Sequence, residues 1–145
     1  MKTINDIIRD TAEAGITLTP LIDHYAVNVR LDKCDYGLFV MLPTTIDYRE
    51  GTYGSTQTTR IELVATGEAK NTNSDIKDYG NVADVVAVLI SRLNEAINAM
   101  IATGRYDSVA RVAYKIIPYR YDSLQTAVTA TFDLTESLCR TRLQI

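Results

Sequence analysis

His24, Cys34 and Cys139 are the residues with the widest chemical reach in this sequence. A cysteine nucleophile needs a base held against it, and His24 is the only histidine the chain offers. A tetrahedral zinc site needs four ligands, more than one histidine and two widely separated cysteines provide. The plainer reading is a histidine at the start of a strand and two thiols used as small hydrophobes. Whether the thiols pair stays open, because spacing alone does not fix a disulfide. Glu136 and the other carboxylates form no pattern that marks a glycosidase-type pair. Gly51 and Gly54 lack the downstream helix and the lysine of a phosphate-binding loop. No catalytic residue, cofactor or metal is therefore expected, and the chain does not read as an enzyme.

Tyrosine is the compositional oddity: nine tyrosines stand against two phenylalanines and no tryptophan. Tyr48, Tyr53 and Tyr79 fall in predicted loops, and Tyr114, Tyr119 and Tyr121 cluster around the last predicted hairpin. A large apolar ring with a polar tip suits an interface, although it serves equally to finish the rim of a small core. Tyr48, Arg49, Tyr53, Tyr79, Arg140 and Arg142 are the candidate contacts to other subunits or partners.

The elements that must position these residues are bounded by composition. With 145 residues, 46% hydrophobic and 23% charged, residues 1–145 make one domain with one core. The net charge of −3 has no block of like charges, so a grip on nucleic acid is not advertised. Arg111, Lys115 and Arg120 could share a face of the last hairpin, but they are few. The first fourteen residues carry charge where a signal peptide has its apolar segment, and no uninterrupted apolar run reaches membrane-spanning length. A soluble protein in a reducing compartment, with no membrane partner, is the expectation.

The organising element is a long amphipathic helix over 81–104. Asn81 can cap it, and Val82, Val85, Val86, Leu89, Leu93, Ala96, Ile97, Met100 and Ile101 repeat at the 3.6-residue period. Asp84, Arg92, Glu95 and Asn98 fall opposite, and Gly104 supplies the stop. A short N-terminal helix starts near Thr3 and Asp6 and ends at Gly15. Period-two alternation predicts strands over 25–31, 59–66, 109–117 and 124–135, and the apolar run 38–42 predicts a strand covered on both faces. In 109–117, Ala110, Val112, Tyr114 and Ile116 are assigned one face. Residues 44–58 and 67–80 read as long polar loops, and 136–145 as a free tail or a short partner-binding arm. The fold class is α+β, a mostly antiparallel sheet packed against one long helix, plus the short N-terminal helix.

In that order, the chain resembles the tail-terminator and tail-completion proteins of tailed bacteriophages. The resemblance is carried by Arg92-Leu93-Asn94-Glu95-Ala96 within a long helix and by a strand ending Ile116-Ile117-Pro118-Tyr119. It continues through Tyr121-Asp122-Ser123-Leu124 into Ala127-Val128-Thr129-Ala130-Thr131-Phe132-Asp133-Leu134. Many relatives carry Gly-Trp or Gly-Val before the final strand, where this chain has Gln125-Thr126. The resemblance implies a virion structural protein that forms a ring, a hexamer, at the head-to-tail joint. Its partners would be copies of itself, tail-tube proteins and head-completion or connector proteins, with DNA passing the lumen unbound. The chain would sit in the host cytoplasm before assembly. The competing reading is a small cytosolic ligand-binding module or enzyme with a pocket between helix and sheet, which needs convergent polar groups there.

Overall fold

The computed structural model describes residues 4–13, 15–21, 36–52, 54–67, 81–104, 106–120 and 125–139. The expected strand over 25–31, residues 68–80 and residues 140–145 lie outside them. Helix α1 (Ile4–Glu13) leads to β1 (Thr19–Leu21), β2 (Tyr36–Met41), β3 (Ile46–Glu50) and β4 (Gly54–Gly67). Helix α2 (Asn81–Ala102) follows, and then β5 (Ser108–Arg120) and β6 (Gln125–Cys139). Gly15 and Gly104 take positive φ, 88° and 67°, after the two helices, as their stop role requires.

The class is α+β, and the sheet is mixed. Its order is β1-β2-β4-β6-β5, with β3 also pairing β4. The short β1 runs parallel to β2, and the other pairings are antiparallel. Pro20 sits in the middle of β1, whose outer side is unpaired among the described residues, where a missing N–H breaks no ladder bond.

Alternation sorts the sheet into two faces. Ile61, Leu63 and Ala65 of β4 and Val128, Ala130, Phe132 and Leu134 of β6 point to the helix face, as the period-two pattern predicts. There they join Val85, Leu89, Leu93, Ala96, Ile97 and Met100 of α2, and Ile7 of α1. Asp84, Arg92, Glu95 and Asn98 are exposed as expected. Ile101 departs from the expected stripe: it is exposed, and Ala99 is buried instead. Residues Val82–Ala102 have the length and mean hydropathy, 1.5, of a membrane span, and their apolar side lies on the sheet. The opposite face carries a smaller cluster of Phe39, Met41 and Val64, with Leu21 against it.

Residues 44–58, expected as a loop, are mostly strand. β3 pairs the first half of β4 from Ile46 opposite Thr59 to Glu50 opposite Ser55, and the turn closes with the Gly51 N–H donating to the Gly54 carbonyl at 2.7 Å. All five β3 residues are exposed, so no hydrophobic alternation announces the strand. Its support is the backbone ladder and the threonines opposite it, which favour extended backbone. β2 and β3 lie end to end along β4, and the register slips by two residues around Pro43 (Val40 opposite Leu63, Ile46 opposite Thr59).

Two further expectations are corrected. β6 continues to Cys139, so 136–139 belong to the sheet and not to a tail or arm. The faces of β5 are interrupted by a bulge between Ala110 and Ala113, with Arg111 at φ 57°. The extra residue puts Val109, rather than Ala110 and Val112, on the core side with Tyr114.

Candidate functional site

Beyond Leu134 the helix face of the sheet turns polar. Ser55, Gln57 and Glu136 are buried there, and Gln57 lies opposite Glu136 across the β4–β6 ladder. The loop after α2 brings Tyr106 to this end, and the Asp107 N–H donates to the Thr135 carbonyl at 2.9 Å. Ser137 Oγ donates to Asp107 Oδ2. Asp10 of α1, only 1% exposed, accepts from the Tyr106 hydroxyl at 3.4 Å.

Burial raises the Tyr106 pKa well above its ordinary 10.0, and the negative charge and hydrogen bond of Asp10 add to it, followed by Glu136 and Asp6. Burial likewise raises Tyr114. Below pH 10 both phenols are neutral whether the chain is folded or not, and their contribution to stability is complete. Above it the unfolded chain ionises first, so stability falls as pH climbs toward the raised native values. Tyr106→Phe removes the more strongly shifted of the two; chemical denaturation between pH 9 and 11 should show a shallower alkaline loss than in the parent protein.

This polar layer offers little chemistry. Asp10 and Glu136 each have partners, and among the described residues no group of three or more His, Cys, Asp or Glu is placed to hold a metal. Ser55 Oγ is buried without a hydrogen bond, and the residue opposite it on β6 is Leu138. The other face of the sheet is a polar ladder. Thr58 and Thr135 share a hydroxyl hydrogen bond at 3.1 Å, and Arg60 Nη1 meets Asp133 Oδ1 at 3.0 Å. Arg111 Nε approaches the second Asp133 oxygen at 3.9 Å. With Arg60 half-exposed such a pair contributes about 0–1 kcal/mol.

What stands out is the margin of the sheet. Ile46 (57% exposed) and Tyr48 lie along β3, with Leu42 just before it. Val112 and Ile116 (51% exposed) lie along β5, the strand at the far edge. Among the described residues nothing pairs with the outer side of either strand. No family model and no curated protein matches the chain.

Of the six residues singled out from sequence, Tyr48 and Arg49 are consecutive on β3 and exposed on its opposite faces. Tyr53, Tyr79, Arg140 and Arg142 lie outside the described residues, as do His24, Cys34 and the Arg120 side chain. Sequence reasoning missed Ile46, Val112 and Ile116. The first sits in a segment read as loop, and the other two sit on a strand whose alternation suggested burial. No local signal marked them, since Arg111, where the bulge sits, fits the polar side of that alternation. Tyr114, assigned from sequence to the apolar face of its strand, is half-buried on the core, its hydroxyl donating to Asn94 Oδ1 on α2.

Proposed function

We propose that this chain is a structural virion protein, a tail-terminator or head-to-tail joining subunit, whose copies close into a hexameric ring at the end of a phage tail. The observation that carries the reading is the placement of exposed apolar side chains on β3 and β5, two strands of one sheet whose outer sides are unpaired among the described residues. Both strands also carry charges, Asp47, Arg49 and Glu50 on β3 and Lys115 on β5, so a contact between them has to match charge as well as apolar side chains. Two different edges on one subunit make a head-to-tail contact, which closes into a ring when the rotation is right.

The function lies in surfaces that meet tail-tube and connector proteins, with no turnover of substrate. The phage assignment itself rests on the sequence resemblance.

Mass spectrometry of purified particles and negative-stain images of the isolated protein test it together. The expected result is a few copies per particle and rings with an open centre. A chain absent from particles and single at all concentrations contradicts it.

A further inference from the structure

We propose that consecutive copies join by laying β3 of one against β5 of the next, as an antiparallel ladder with Asp47 opposite Lys115. This deepens the ring reading and rests on it.

Strand directions come first. β3 runs antiparallel to β4, β4 to β6, and β6 to β5, so β3 and β5 point in opposite directions within one subunit. A rotation about an axis along the strands leaves directions unchanged. It therefore brings β3 of one copy beside β5 of the next with antiparallel polarity, and both sheets keep their helices on the same side.

The faces then decide the register. Ile46 lies opposite Thr59, whose face is that of Ile61, so Ile46, Tyr48 and Glu50 belong to the helix face and Asp47 and Arg49 to the other. Ile116 lies opposite Val128 and Tyr114 opposite Ala130, both core positions, so Ile116 and Tyr114 also belong to the helix face and Lys115 to the other. Setting Asp47 against Lys115 puts Ile46 against Ile116 and Tyr48 against Tyr114. Directly opposed residues share a face, so this one register matches apolar with apolar, ring with ring and anion with cation. A slip of one residue would set Asp47 against Tyr114 or Ile116 and turn every side chain to the wrong face.

Length agrees with the register. β3 has five residues, and its fifth, Glu50, would fall at Val112, the start of the bulge where Arg111 stands exposed beside it. The bulge ends the regular edge where β3 ends.

Two single-cysteine proteins test the pairing in a Cys34→Ser, Cys139→Ser background: Asp47→Cys and Lys115→Cys. Under mild oxidation a mixture of the two should give crosslinked pairs, and either alone should give none, since the opposed positions come from different edges. In the native-cysteine background, Asp47→Lys and Lys115→Asp should each weaken assembly several-fold, and the double swap should restore it. Assembly without crosslinking in the mixture overturns the β3–β5 ladder and leaves the ring reading intact. Crosslinking of Asp47→Cys with itself also overturns the ladder, showing a twofold β3–β3 edge. A native protein that stays single at every concentration removes both.

Discussion

Replacing Phe132 by alanine will destabilise the protein by roughly 3–5 kcal/mol, a large part of the margin a domain of this size has. Phe132 is fully buried in the helix-face cluster, opposite Ile61 on β4. Its other neighbour, β5, carries the bulge at that level, so the sheet has a local irregularity there that the ring must fill. Removing the ring loses its transfer free energy and leaves a cavity bounded by two strands locked in ladders and a helix packed across them. Such walls collapse poorly. Urea denaturation at fixed protein concentration measures the loss, with Ile101→Ala as the control. Ile101 is exposed, and its truncation should stay within about 0.5 kcal/mol. Equal effects at the two positions would mean that α2 does not lie on the sheet by the side described.

Gly37→Ala should cost about 1–3 kcal/mol by overpacking. A β-carbon at Gly37 would run into the Phe39 ring and lie 2.8 Å from Thr66 Oγ1. Phe39 cannot swing aside, because its ring is buried against Met41 and Val64. Thr66 cannot retreat without losing the Gly37 N–H, which donates to its hydroxyl at 3.1 Å. The glycine is needed for the close approach of a ring to backbone. In a Phe39→Leu background the penalty should fall by half or more, a coupling that a double-mutant cycle reads directly. An unchanged penalty would place the strain in the β2 backbone and not against the ring.

These two residues show what the sequence could and could not tell. Phe132 was legible, because β6 alternates without a break from Val128 to Leu134 and one face of it must be buried. The stripe of α2 was legible for the same reason, since one period runs through it. Gly37 was not, because its role depends on which way the Phe39 ring lies. β3 was not legible either. Its residues are exposed on both faces, so burial imprinted no pattern on them, and only pairing with β4 makes them a strand. β1 is three residues long with a proline in the middle, too short to show a period.

The candidate surface was half visible. Tyr48 and Arg49 were chosen for residue type and do lie exposed on an edge. Ile46 and Ile116 matter because of where the sheet ends, and strand order is a long-range property that no local pattern encodes. Asp10 and Tyr106 likewise meet across most of the chain's length, so their contact could not be read from spacing.

The central claim is that this sheet is incomplete in one copy and is finished by the next. Native mass spectrometry of the full chain tests it most directly. The account predicts a closed species at six times the 16.1 kDa subunit mass, with little open intermediate once it forms. A single 16.1 kDa species persisting as concentration rises would contradict it.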